Sequence, residues 1–269
     1  MTLVDYQERD KVGEIRLDAA DRGNSLTQQV VDELAAAVRR ARADDVHVVV
    51  LSSTGRAFCV GGDVAAFGAA ADPEQMVDDL AEALHRVVSD LHRMDAVVVS
   101  AVQGTAAGAG VALAAAADLV IAASSARFTL AYTGIGLSPD GGSSLLHATL
   151  GLHQSLRLAL LNPVLTADEA RALGLVAEVH PDDELEAAVE RIVARLRVGS
   201  REAQVAAKRL LRESATPGAE AALRRETLSI RRLAADPDGR EGVAAFLAKR
   251  PPVFPSSASQ SPVDVRSVT

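Results

Sequence analysis

The sequence predicts an α/β fold with its ligand sites at glycine turns. Three observations predict it. Apolar stretches of strand length recur along the chain. Each runs through a turn into a helical pattern, and the turns carry glycines, as strand-turn-helix units do. Hydrophobic residues make up 48% of the chain and charged residues 24%, which is the balance of a globular protein. Aromatics are only 3%, with no Trp, so the core must be built from Ala, Val and Leu.

The elements follow in order. Val12 to Leu17 alternates apolar and charged residues, the pattern of a half-exposed strand. In "NSLTQQVVDELAAAVRRARADD", Val30, Leu34, Ala37, Val38 and Ala41 recur at helical spacing. "HVVVLSS", His47 to Ser53, is a buried strand, and "TGRAFCVGGDVAAF" a turn entering a short helix. Pro73 to His92 is a second helix. "DAVVVSAVQG" is another buried strand; "TAAGAGVALAAAADLVIAA" is a tight turn, a helix and a further strand. Beyond Gly199–Ser200 the character changes. Arg201 to Ala234 is helical with a break at Thr216-Pro217-Gly218, and Asp238 to Lys249 is a last short helix. The Pro/Ser-rich end lacks periodicity. The chain therefore divides into a core at 1–199, a helical region at 200–254 and a disordered tail at 255–269.

Several function classes are excluded. A formal net charge of −8 argues against a broad nucleic-acid footprint. The lone Cys59 permits no internal disulfide and fits a reducing cytoplasm. The opening stretch lacks a signal-peptide core. The most apolar stretch, Ala96 to Ala123, is interrupted by Gln103 and Asp118 and reads as strand, turn and helix, not as a membrane span. No familiar His/Cys metal spacing is present; His85 and His92 read as surface, so no metal is expected.

Two turns have the composition of anion sites. "AFCVGGDV", Ala57 to Val64, pairs two glycines with Asp63, a residue suited to cap the following helix. "QGTAAGAGVAL", Gln103 to Leu113, leaves a buried strand and opens a helix, so its N–H groups lack intrahelical acceptors. Two such turns face to face would form an oxyanion hole from backbone donors alone. The second turn has glycines at 104, 108 and 110, which is not a dinucleotide fingerprint.

Six segments, in this order and spacing, resemble the enoyl-CoA hydratase/isomerase (crotonase) superfamily: "NSLT", "GRAFCVGGDV", "SAVQGTAAGAGVALAAAADLVIA", "FTLAYTGIGLSPDGGSS", "LTADEARALGLVAEV" and "DGREGVAAFLAKRPPVF". The resemblance runs from about Val4 to Phe254. It implies a spiral of ββα units with a C-terminal helical trimerisation region, assembled as a homotrimer or a hexamer (a dimer of trimers). The substrate it implies is an acyl-CoA thioester, with coenzyme A entering as part of the substrate and no tightly bound cofactor. Its oxyanion donors fall on the backbone N–H groups of Gly62 and Ala109. Its CoA contacts fall on Arg22, the Ala57 backbone, Phe246 and Lys249, the last two from either the same or a neighbouring subunit.

The resemblance also suggests which reaction. Hydratases of the family carry two catalytic glutamates; the matching positions here are Ala112 and Tyr132. Adding water needs one group to activate the water and another to handle the α-proton. An isomerase branch carries one carboxylate before a later glycine pair, and Asp140 in "GLSPDGG" matches it. One carboxylate can take a proton from the α-carbon and return it at the γ-carbon. The expectation is therefore an enoyl-CoA isomerase. The alternatives are a hydratase with atypical groups or a member that binds acyl-CoA without turning it over. Asp140 has a second reading as the N-cap of the helix after Pro-Asp-Gly-Gly-Ser, and the two roles can coexist. Cys59 reads as a small buried side chain, Tyr132 as packing or pocket lining, and His147 as structural or near the site by helical spacing.

Overall fold

In the computed structural model, which describes residues 2–256, chain order alternates between two sheets. The hairpin of β1 (Val4–Arg9) and β2 (Val12–Leu17) is antiparallel. Helix α1 (Gln28–Ala43) is capped by the Thr27 side chain and returns the chain to β3 (Val48–Ser53), parallel to β2. The short β4 (Ala57–Cys59) follows, then α2 (Val64–Ala69), capped by Asp63 as its sequence predicts. Helix α3 (Pro73–Arg93) begins with an Asp72 cap and Pro at its first position. Next come β5 (Val97–Val102), β6 (Thr105–Ala107), α4 (Ala109–Ala115), β7 (Leu119–Ala123) and β8 (Arg127–Thr129). The chain continues through α5 (His147–Leu150), α6 (Leu152–Leu161), β9 (Leu165–Thr166), α7 (Ala167–Ala172), β10 (Glu178–His180) and α8 (Leu185–Val198). Three helices end it: α9 (Arg201–Ala215), α10 (Ala219–Ala235) and α11 (Pro237–Leu247).

The long strands and the three-residue β10 form one sheet in the order β1-β2-β3-β5-β7-β10, parallel after the hairpin. β5 is buried at every position, and its sequence lacks alternation for that reason. The short strands form the second sheet, β4-β6-β8-β9. Each of β3, β5 and β7 therefore passes directly into a short strand of the other sheet, and helices follow. This is the ββα spiral that the resemblance implies. Because β4, β6 and β8 are parallel, their C-terminal ends lie side by side. The two glycine turns and the segment after Thr129 leave from those ends.

The expected strand at Val12–Leu17, the helices at Pro73 and Arg201, and the break near Pro217 all appear at or within a residue or two of their predicted limits. The tail expected at 255–269 lies almost wholly outside the described residues. Among the described residues, no helix is long and apolar enough to cross a membrane.

The C-terminal helices pack onto the core. Lys208 of α9 is buried, and its ammonium donates to the carbonyls of Leu91 and Ala96 while pairing with Asp118 at 2.8 Å. It ties α9 to the end of α3, the start of β5 and the start of β7. Lys208→Met removes those donors and leaves two carbonyls unpaired, with Arg212 and the Val98 N–H as the remaining partners of Asp118. A loss of about 3 kcal/mol is expected in urea unfolding; a change under about 0.5 kcal/mol would mean the ammonium does not hold the helix there.

Candidate active site

The two glycine turns meet. A β-carbon on Gly61, whose φ is +87°, would come within 2.8 Å of the Ala107 carbonyl oxygen and 3.4 Å of the Ala109 nitrogen. One on Gly110 would lie 2.2 Å from the Cys59 carbonyl oxygen. Only glycine fits at such approaches. The N–H groups of Gly62 and Ala109 donate to no backbone carbonyl among the described residues. They are free for a ligand, as an oxyanion hole requires. Ala109 is the first residue of α4 and has a negative φ, so an alanine there carries no conformational strain. The left-handed backbone falls on Gly108 before it, at φ +53°.

A cavity of about 250 Å³ opens beside these donors. Its walls are mainly aliphatic, with Leu80, Leu84, Leu130, Leu137 and Ile230 among them. Gly62, Ala109, Tyr132 and Asp140 also line it, and among the described residues Asp140 is the one acidic residue of the lining. Asp140 is brought there by Gly141, which at φ +71° packs so tightly on Ala109 that a β-carbon would lie 2.9 Å from the Ala109 β-carbon. A larger open cleft of about 720 Å³ lies between the end of α3 and the start of α10 and includes neither turn. Its arginines Arg93, Arg209 and Arg212 are paired with Glu220, Asp95 and Asp118. The two glycine turns and Asp140 border only the smaller of these two spaces.

Asp140 does not cap a helix with its side chain, which corrects the alternative reading of this residue. The short 3-10 turn Ser143–Leu146 has no side-chain cap from it. Instead Glu226 of α10 accepts from Gly142 N–H with one oxygen and from Ser144 N–H with the other, both at 2.7 Å. The Asp140 backbone carbonyl accepts from the Tyr132 hydroxyl at 2.9 Å and the Ser143 hydroxyl at 2.7 Å. The loop is thus held through its main chain, and the carboxylate caps none of the N–H groups of Gly142 and Ser144.

That carboxylate faces His85 of α3. Nε2 of His85 lies 3.0 Å from Asp140 Oδ1 and 3.3 Å from Glu226 Oε2, between the two and aligned with neither. Nδ1 lies 3.1 Å from the Thr227 hydroxyl, which is itself 3.4 Å from the Leu223 carbonyl, an acceptor for its proton. Both ring nitrogens therefore face acceptors, the surroundings of an imidazolium; the proton positions are assigned from these partners. All three ionisable side chains are buried. Desolvation opposes the charge on His85, but Asp140 and Glu226 outweigh it and push its pKa up to about 9. Burial pushes the Asp140 carboxyl above the ordinary carboxylate range, and Glu226 acts in the same direction, while His85 pulls it back. Burial likewise pushes the Tyr132 phenol well up, so it is neutral.

Several expectations change. His85 is not a surface residue; it is 5% exposed and sits against Asp140. His92 is half-buried against Arg212, and burial followed by that charge holds its pKa down near 3. His147 faces solvent, with Nδ1 on the Ser144 carbonyl. Ala112 is buried on α4 outside the cavity, whereas Tyr132 lines it. Cys59 is fully buried, and burial pushes its thiol up to about 12, which leaves no nucleophile.

Of the expected CoA contacts, Phe246 lines the cavity of its own chain and is 56% exposed at the mouth. Arg22, Ala57 and Lys249 lie outside the lining. Arg22 is exposed on the short turn before Gly23, which packs against Val60. The Ala57 carbonyl is taken by Asn24 and Ser53. Lys249 is exposed just beyond α11.

Residues 7–257 match the model of the family described as enoyl-CoA hydratase/isomerase. The chain belongs to that family. It is 36% identical over 252 residues to a Rhodobacter capsulatus protein called "probable enoyl-CoA hydratase", covering 93% of this chain and 97% of that one. It is 33% identical to the Escherichia coli 1,2-epoxyphenylacetyl-CoA isomerase, covering 89% and 93% respectively. The crystal structure of an enoyl-CoA hydratase from Mycobacterium avium subsp. paratuberculosis superposes with a TM-score of 0.84 at 36% identity, covering 91% of this chain and 99% of that one. The paired glycine turns and the ββα spiral are thus the framework of a crotonase-superfamily acyl-CoA enzyme.

His85, Glu226 and Thr227 escape motif reading, yet the sequence carries a signal for them. Leu223, Glu226, Thr227 and Ile230 share one face of α10, and Leu84, His85 and Val88 share one face of α3. A charged or titratable residue on a core-facing stripe needs a partner.

The cluster has a measurable pH signature. The folded-state pKa of His85, about 9, lies above its ordinary 6.5. Its contribution to stability is full below about pH 6.5 and is lost as pH rises through about 9. Urea midpoints between pH 6 and 10 are expected to fall more steeply for the native chain than for His85→Gln; parallel curves would show that His85 is not charged in the folded state.

Proposed function

We propose that this family member is an enoyl-CoA isomerase that shifts a double bond with one carboxylate. The observation that carries the reading is the lone acid of the cavity, Asp140, placed beside the Gly62 and Ala109 donors. No second carboxylate lines the cavity among the described residues, so the pair of acid–base groups that hydration needs is lacking. The isomerase named among the relatives supports the same direction.

The steps follow from the geometry. The thioester oxygen of a 3-enoyl-CoA accepts from the N–H groups of Gly62 and Ala109. Asp140 takes a proton from the α-carbon, and the electron pair passes into a dienolate whose charge rests on that oxygen. Donors placed for it contribute about 3–4 kcal/mol each. Asp140 then returns the proton at the γ-carbon, and the double bond moves into conjugation. The aliphatic walls exclude water, which limits hydration of the product. Phe246 sits at the mouth as a wall for the CoA end, and Arg22 and Lys249 are the expected cations for its phosphates.

Assembly as a homotrimer or a dimer of trimers is the matching quaternary reading. Its support is an exposed apolar row on α6, Leu152, Leu156 and Leu160, with Leu161 and Val164 beside it.

Asp140→Asn tests the reaction. The substitution keeps the shape and removes the base, so turnover of 3-hexenoyl-CoA is expected to fall by about 10² to 10⁴ while CoA-ester affinity stays within about twofold. Conjugation is followed by absorbance and affinity by calorimetry. Undiminished conjugation would sink the assignment. Hydration of 2-hexenoyl-CoA at a higher rate than conjugation of the 3-isomer would replace it with the hydratase reading.

A further inference from the structure

Asp140 raises a problem that its own position does not solve. A carboxyl buried in an aliphatic cavity favours its neutral form, and a neutral acid cannot take the first proton. Three elements supply an answer around it. His85 on α3 presents Nε2 at 3.0 Å from Asp140 Oδ1, and its other nitrogen faces the Thr227 hydroxyl. Glu226 on α10 stands 3.3 Å from the same Nε2, with both of its oxygens already accepting backbone N–H groups. Farther out, Glu82 of α3 acts on the same imidazole and is paired with Arg224 of α10. Tyr132 contributes a neutral hydroxyl on the Asp140 main chain.

We propose that His85 and Glu226 are positioning residues that hold Asp140 in its proton-accepting form: His85 as a buried imidazolium, Glu226 as the second carboxylate that keeps the proton on the ring. The proposal rests on Asp140 being the base. An imidazole facing a single buried carboxylate can hand its proton over and leave both groups neutral, which disarms the base. A second carboxylate on the same nitrogen favours the imidazolium. The charges balance through the cycle. At rest the cluster holds one positive and two negative charges. When Asp140 takes the substrate proton, the C–H electron pair becomes the dienolate, so one negative charge moves from Asp140 to the thioester oxygen. His85 then keeps Glu226 as its counter-ion until the proton returns at the γ-carbon. Neither His85 nor Glu226 lines the cavity, so neither touches the substrate.

The test combines a direct titration with kinetics. The carboxyl resonance of Asp140 is followed by NMR in protein labelled with ¹³C-aspartate and assigned by its loss in Asp140→Asn. In the native chain it is expected to be ionised at pH 7, with the His85 ring protonated on both nitrogens. In His85→Gln the Asp140 pKa is expected to move up by about 1–3 pH units. The acid limb of kcat/KM for 3-hexenoyl-CoA is expected to move with it, and activity to recover on the alkaline side with KM little changed. A role confined to packing would lower activity at every pH. Glu226→Gln is expected to lower the pKa of His85. A neutral Asp140 or a neutral His85 in the native chain at pH 7 overturns the proposal, and that measurement needs no variant of His85 to fold. So does an unmoved Asp140 pKa in folded His85→Gln. Activity abolished by a chelator and restored by Zn²⁺ or Mn²⁺ also overturns it, because the cluster would then be a metal centre. A native chain that lacks isomerase activity but shows the expected titration removes the proposed reaction and leaves the ionisation assignment standing.

Discussion

The carboxylate of Glu226 is the contact on which the site depends. The backbone turns sharply through Asp140-Gly141-Gly142, and two N–H groups at the start of the next helical turn need acceptors. Local chemistry would satisfy them with the Asp140 side chain. Glu226 does so from α10, 82 and 84 residues further along the chain. Both of its oxygens are engaged, and Asp140 is released to face the cavity. Burying this carboxylate is tolerable because its acceptor sites are filled and His85 lies beside it. The C-terminal helices are thus part of the site, and their docking through Lys208 bears on its geometry.

The second constraint is the parallel pairing of β4, β6 and β8 in the second sheet. Strands of three residues hold little stability of their own, but they set adjacent two turns that are 47 residues apart (Gly62 and Ala109). The close approach leaves no room for side chains at Gly61 and Gly110. It is also what leaves two N–H groups unpaired and turned toward one cavity. The backbone that passes closest to its neighbour is the backbone that adjoins the two unpaired N–H groups.

Some features were legible because their signals are local. The cap at Asp63, the break at Pro217 and the amphipathic stripe of α1 each depend on residues a few positions apart. The turns and Asp140 were legible through resemblance, as segments in a fixed order. His85 was misread because a lone histidine matches no motif, although Leu84, Val87 and Val88 around it are apolar, and nothing within α3 states what α10 will bring against it. The cap offered as a second reading of Asp140 fails for a related reason. The local rule was sound, but a distant carboxylate satisfied the same N–H groups.

The sequence by itself determined the α/β elements, the two glycine turns and the presence of a carboxylate after Pro139, through short-range periodicity and backbone freedom, and implied the ββα framework through its family resemblance. Tertiary structure alone decided what surrounds that carboxylate. Glu226 takes the N–H groups that a cap would have taken, His85 lies 3.0 Å from it, and aliphatic walls on α3, α10 and the segment around Leu130 enclose it. Ionisation of a buried group is fixed by the charges and dipoles within a few ångströms of it, and those neighbours are far away in the chain.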